Sequence, residues 1–220
     1  MATKVKSTKK EITRTNIVSM YMEYVLLEGY PRSVFAFCKE NKIEEAVFYN
    51  HFGSLEGLKK TIWVDFYTHV ESLLHKNDEF VNYTSREKLL TFYFTFFEML
   101  TANRSYVLWA ARESNSKLEN LKQLSDLRKK IIGFGKTIVE NDNEDKKLKI
   151  TKKPVKVVSE GVWIQFLFLL KFWMNDESAG FDKTDVAIEK SVNTVFDILD
   201  NTPLESILDF GKFLWKEKMS

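Results

Sequence analysis

The sequence predicts an all-α protein: a three-helix head followed by a larger helical bundle. Three observations carry that expectation. The chain has only 8 Gly and 3 Pro in 220 residues, whereas a many-stranded chain needs frequent turns. Apolar side chains recur at three- and four-residue intervals along most of the chain. No segment reads as a convincing strand, and there is no internal repeat.

The elements follow in order. Ile17, Met20, Tyr21, Tyr24 and Val25 share one face of a helix over 12–27, and Gly29 supplies its left-handed end. Pro31 forbids continuation, and Ser33 caps a short helix from Val34 to about Glu40. Asn41-Lys42 makes a tight turn, plugged by Ile43. A third short helix spans 44–50, its start favoured by Glu44 and Glu45, whose charges complement the helix dipole. Gly53 ends it, and Ser54 caps a fourth helix through Trp63 and Phe66 to about Leu74. The helix at about 85–100 (Leu89, Leu90, Phe92, Tyr93, Phe94, Phe96, Phe97) is apolar nearly all round, which suits the centre of a bundle. Further helices are expected at 106–113, 118–140, 157–174 and 184–199. Residues 141–156 (NDNEDKKLKITKKPVK) read as a charged loop, and a last stripe follows Pro203.

Composition narrows the class. The chain is 44% hydrophobic and 29% charged, a globular balance. A single cysteine, Cys38, allows no internal disulfide and fits a reducing compartment; it reads as a buried packing thiol. Residues 1–16 are polar and basic with no apolar run behind them, so no secretory signal is expected. The most apolar stretch, VWIQFLFLLKFWM at 162–174, is interrupted by Gln165 and Lys171. It is shorter than the roughly 18–20 residues of a membrane span. A cytoplasmic protein without membrane contact is therefore expected. The net charge of +2 is unevenly placed: residues 1–14 carry five basic side chains against Glu11, while 15–60 carry five basic against six acidic. The concentrated positive field is the N-terminal arm.

Two segments carry a family likeness. In the head, Gly29, Ser33-Val34, Phe37-Cys38, Ile43, Phe48-Tyr49-Asn50-His51-Phe52 and Ser54-Leu55-Glu56-Gly57-Leu58 follow one another without gaps. This set resembles the helix-turn-helix head of the TetR family of bacterial regulators. Residues 172–216 resemble the C-terminal part of a subgroup associated with Bacteroidetes. The resemblance implies a DNA-binding head at 1–53 and a C-terminal ligand-binding and dimerisation domain at 54–220. In a helix-turn-helix the second short helix offers its side chains to base edges in the major groove. The resemblance accordingly implies a DNA-contacting set of Lys9, Lys10, Arg14, Arg32, Ser33, Lys42, Glu45, Val47, Tyr49, Asn50 and His51. Val47 would meet a base or thymine methyl, Tyr49 and His51 phosphates, and Asn50 a base edge or phosphate. Three departures stand out: Lys42 replaces a usual Gly in the turn, Leu55 stands where the family has a phosphate-binding lysine, and Glu44 and Glu45 bring acid towards the backbone.

Other features carry less. His69 and His75 lie six apart, on nearly opposite faces of a helix, without ligand partners, so no metal is expected. No catalytic order of nucleophile and base, phosphate loop or Cys pair suggests an enzyme, and no cofactor is implied. The aromatics Phe92, Phe96, Tyr106, Trp109, Trp163 and Phe166 read either as dense core or as the lining of a pocket for a small apolar effector. The helices at 157–174 and 184–200 are expected to pair two copies into a four-helix bundle. Two functions remain open: a homodimeric, ligand-responsive regulator that binds double-stranded, palindromic operator DNA, or a TetR-like lipid or isoprenoid carrier that has lost DNA binding.

Overall fold

Thr13 closes the first helix. Its hydroxyl accepts from the Asn16 backbone while the Asn16 side chain accepts from the Thr13 backbone, satisfying two amides that a helix start would otherwise leave without partners. The computed structural model describes residues 12–112, 121–144 and 152–201. Among them it holds nine α-helices and no strand: α1 Arg14–Leu27, α2 Val34–Glu40, α3 Glu45–His51, α4 Leu55–His75, α5 Ser85–Ala102, α6 Arg104–Arg112, α7 Ser125–Glu144, α8 Val155–Met174 and α9 Asp182–Asn201. Short 3-10 turns lie at Asp78–Asn82 and Ala179–Phe181. The expected basic arm with Lys9 and Lys10, the start of the helix expected at 118, and the stripe after Pro203 lie outside the described residues.

The chain divides into two compact units. The first comprises the described parts of Met1–Trp63 and Asn103–Leu124. An aromatic chain runs through it: Tyr21 of α1 meets Phe37 of α2 edge-on at 5.8 Å, Phe37 meets Phe48 of α3 at 6.1 Å, and Phe48 meets Phe52 at 5.7 Å. Each such contact adds about 0.5–1.5 kcal/mol beyond burial. Helix α6 packs on α1 in this unit. Buried Gln123 adds a polar tie within the same unit: its side chain accepts from the Trp63 indole at 3.0 Å and donates to the Ala110 carbonyl at 2.7 Å. The same amide sits just before α7, which starts at Ser125.

The second unit comprises the described parts of Val64–Ala102 and Ser125–Ser220. Helices α7 and α8 form its most extensive pair. They approach at Gly135, where an added Cβ would lie 3.1 Å from a Val162 methyl and 3.3 Å from Ser159 Cα. Polar side chains fix the register of the other helices. Buried Tyr93 of α5 donates to the Val162 carbonyl at 2.7 Å, and Gln165 of α8 donates to Ser191 of α9 at 3.0 Å. The expected loop at 141–156 is shorter than its charge suggests. Asn143, buried in the last turn of α7, donates to the Lys153 carbonyl at 2.9 Å and accepts from its N–H at 2.8 Å.

Helix α8 corrects the argument from length. It spans 20 residues with a mean hydropathy of 1.4 over its most apolar window, enough by length and composition to cross a membrane. Here Val162, Phe166, Leu169 and Trp173 are buried in the bundle, and Phe166 packs edge-on against Phe96 of α5 at 5.2 Å.

Candidate nucleic-acid interface and ligand cavity

The head is built on a tight turn. Ser33 caps α2, its hydroxyl accepting from Ala36 N–H at 3.1 Å. At the other end the Asn41 side chain donates to the Phe37 carbonyl at 2.9 Å. Lys42 then takes the left-handed conformation at φ 58°, a region that costs a non-glycine residue roughly 1–2 kcal/mol. That turn folds Ile43 into the core, where its N–H donates to the Cys38 carbonyl at 2.8 Å. The Cys38 thiol is pushed up by burial and by the negative charge of Glu45, so it stays protonated and inert as a packing group.

On α3, Phe48 and Phe52 face inward and are buried. Ala46, Tyr49, Asn50 and His51 are exposed, while Glu45 and Val47 are half-buried. The Tyr49 ring rests edge-on against Phe48 at 5.5 Å, so its phenol is presented on a rigid support. The Arg14 guanidinium lies 5.7 Å above the Phe52 ring. Arg32, Ser33 and Lys42 are exposed.

The start of α4 is capped as expected, with Ser54 accepting from Gly57 N–H at 3.0 Å. Leu55 beside it is only 7% exposed. It lies on the same inward stripe as buried Leu58 and Ile62. The position therefore offers no surface for phosphate, and a lysine there would have to leave the core. Lys59, one turn on, is also buried, paired with Glu56 at 2.8 Å and lying 4.7 Å from the Tyr30 ring. Tyr30 donates to the same carboxylate at 2.9 Å. Burial of Glu56 opposes its charged form, but the bonds from Lys59 and Tyr30 outweigh it and lower its carboxyl below the usual range. Neither Leu55 nor Lys59 is presented to a backbone phosphate.

The second unit contains a cavity of about 560 Å³, inside the range usual for small-molecule sites. Tyr67 and Leu74 of α4, Phe80, Phe92 of α5, and Phe134 and Ile138 of α7 make its floor. Phe92 and Phe134 lie 4.4 Å apart. Of the six aromatics expected to line a pocket, Phe92 lines this cavity. Phe96 packs on Phe166, and Trp163 stacks on Phe166 at 5.5 Å. Tyr106 and Trp109 belong to the first unit, 6.1 Å from each other. Among the cavity side chains that the sequence reading missed are Lys88, Lys130 and Phe134. One signal was legible: Lys88 and Phe92 lie four apart on α5 and so share a face. Among the described residues, no group of three His, Cys, Asp or Glu side chains is placed to hold a metal ion.

Residues 88–214 match the family model described as "Tetracyclin repressor-like, C-terminal domain", which is more than half of the chain. The chain belongs to the TetR family. Solved TetR-like structures share the fold. A putative TetR-family transcriptional regulator from Syntrophomonas wolfei str. Goettingen superposes with a TM-score of 0.67 at 16% identity, covering 83% of this chain and 93% of that one. The transcriptional regulator FadR from Bacillus subtilis, solved in complex with stearoyl-CoA, superposes with a TM-score of 0.57 at 17% identity, covering 86% of this chain and 98% of that one. No curated protein matches the chain. The TetR family is one of transcriptional regulators, not of enzymes.

Proposed function

We propose that this TetR-family regulator binds double-stranded operator DNA as a homodimer in the cytoplasm and responds to a ligand held in the second unit. The observation that carries the DNA reading is the pairing of a left-handed turn at Lys42 with a rigid, exposed Tyr49-Asn50-His51 edge over buried Phe48 and Phe52. In this reading Val47 and Asn50 face bases, and Tyr49, His51, Lys42, Arg32 and Arg14 face phosphates, with Ser33 at the rim and the arm residues Lys9 and Lys10 adding charge. Glu45 is half-buried beside Cys38, and so faces DNA less directly than its charge alone suggests. The likeness of 172–216 to the Bacteroidetes-associated subgroup supports a dedicated C-terminal domain of that type.

The dimer reading rests on α8 and α9. Val157, Gly161, Ile164, Phe168 and Phe172 form an exposed stripe on α8 at helical spacing. An apolar groove continues from Ile164 and Phe168 to Ala187 and Val195 of α9. Two such pairs from two copies close a four-helix bundle, and a two-fold dimer reads a palindrome. The ligand reading rests on the cavity, and the stearoyl-CoA complex of the Bacillus subtilis FadR shows a similar fold holding an acyl ligand.

The carrier reading is favoured by one feature: Glu44 and Glu45 place acid at the start of α3, and no lysine at 55 offsets it. Repeated selection of bound duplexes from a random pool decides between the two. A regulator enriches a palindrome; a carrier enriches nothing.

A further inference from the structure

Resting on the ligand-responsive reading above, we propose that the cavity of the second unit takes an elongated anionic amphiphile, a long-chain carboxylate or alkyl phosphate, with its head group anchored by Lys88. Shape gives the first argument. Lining residues run along α7 from Lys129 to Asn141, which is about 18 Å of helix at 1.5 Å per residue. The floor along that run is apolar and largely buried, with Leu74, Phe80, Phe92 and Ile138 all under 8% exposed. An extended chain fits such a surface better than a compact polar molecule, because burial of apolar area is the dominant favourable contribution.

Charge gives the second. The lining holds three lysines, Lys88, Lys129 and Lys130, against one carboxylate, Glu71. Lys129 is paired with Asp126 at 2.7 Å. Glu71 already accepts the Tyr67 hydroxyl at 3.2 Å. Burial pushes the Tyr67 phenol well up, and the neighbouring Glu71 charge adds to that, so Tyr67 stays a donor. The remaining positive groups have neutral partners. Lys88 donates to the Val81 carbonyl at 2.9 Å, and Lys130 lies 5.9 Å from the Tyr67 ring. A carbonyl and a ring hold an ammonium in place without neutralising it. Lys88 is half-buried and Lys130 is exposed, so water and salt screen Lys130 more. Lys88 is therefore the stronger anchor for an anion.

The test is isothermal calorimetry on the full chain with four single-chain probes: palmitate, hexadecyl phosphate, hexadecanol and hexadecyltrimethylammonium, each below its critical micelle concentration. Palmitate or hexadecyl phosphate should bind saturably and at least about tenfold tighter than hexadecanol, the expectation for a charge-assisted hydrogen bond. The stronger of the two identifies the head group as carboxylate or phosphate. Lys88→Gln should bring the anion down to the level of hexadecanol, Lys88→Arg should retain it, and Lys130→Gln should change it by less than about threefold. Gly133→Phe should abolish binding of every probe, since the Gly133 Cβ position opens onto the cavity with nothing within 4 Å. Equal or tighter binding of hexadecanol or of the cation overturns the proposal, as does an unchanged Lys88→Gln or no probe binding at all. The ligand-responsive reading fails separately, when a probe that calorimetry shows bound leaves the affinity for the selected duplex unchanged.

Discussion

Ile43 donates its backbone N–H to the Cys38 carbonyl at 2.8 Å, across a turn in which Lys42 holds φ at 58°. The bond closes the helix-turn-helix at the expense of an unfavourable conformation. Lys42→Gly removes roughly 1–2 kcal/mol of steric cost and adds about 0.4–1 kcal/mol of unfolded-state entropy. A net stabilisation of about 0.5–1 kcal/mol is expected in urea unfolding. The same variant should bind every duplex more weakly and lower the salt slope by about 0.9, the loss of one phosphate contact. Stability and affinity moving in opposite directions would separate the backbone role of this residue from its charge.

Two glycines of α7, two positions apart, should respond oppositely. Gly133 is exposed and a Cβ there meets nothing, whereas a Cβ at Gly135 meets Val162 and Ser159 of α8 within 3.3 Å. Gly133→Ala should stabilise by up to about 1 kcal/mol through helix propensity. Gly135→Leu should destabilise by about 1–3 kcal/mol or more through overpacking. Thermal melts of the two variants beside the parent check both signs.

Asp176 sets an acid limit on the second unit. Burial disfavours its charge, but the hydroxyl and N–H groups of Ser178 and Thr184, at 2.6–2.9 Å, outweigh burial and lower its carboxyl to about 2. Because the folded value lies below the unfolded one of about 3.9, its contribution is complete above about pH 4. It is lost as the pH falls towards 2. Asp176→Asn should be less stable than the parent by about 1–3 kcal/mol at pH 7, and the gap should close between pH 4 and 2. A gap that widens on acidification would contradict the assignment.

The exposed stripe on α8 gives a prediction about assembly. Phe168 is 53% exposed at its centre, between Ile164 and Phe172. In the dimer proposed above it would be buried, so Phe168→Glu should place a charge in an apolar interface and yield monomers in light scattering at micromolar concentration. The helical circular-dichroism signal should be retained, because the side chain is not part of the core within one copy.

The head was legible in the sequence because its determinants are local. Gly29, the Ser33 cap, the turn with Ile43 and the i,i+4 pair of Phe48 and Phe52 lie within a few residues of the structure they dictate. Long-range partnerships were not legible. Gln123 reaches back 60 residues to Trp63 and 13 to Ala110, and no periodicity reports that. The cavity was missed for the same reason: several helices carry aromatic stripes, and which ones become neighbours decides whether Phe92 lines a space while Phe96 fills one. The burial of Leu55, by contrast, was legible in its spacing to Leu58 and Ile62, which puts all three on one inward stripe.

In the proposed function α3 is the element that reads DNA. Fluorescence anisotropy of the full chain on the palindrome recovered by selection, against a scrambled duplex of equal length, tests it most directly when repeated with Asn50→Ala and Tyr49→Phe. Tighter binding to the palindrome is expected, with a shallow salt slope matching only a handful of phosphates at about 0.9 each. Asn50→Ala should narrow the gap between the two duplexes, whereas Tyr49→Phe should weaken both alike. Equal affinity of the unmodified protein for palindrome and scrambled duplex, unmoved by either substitution, would contradict it.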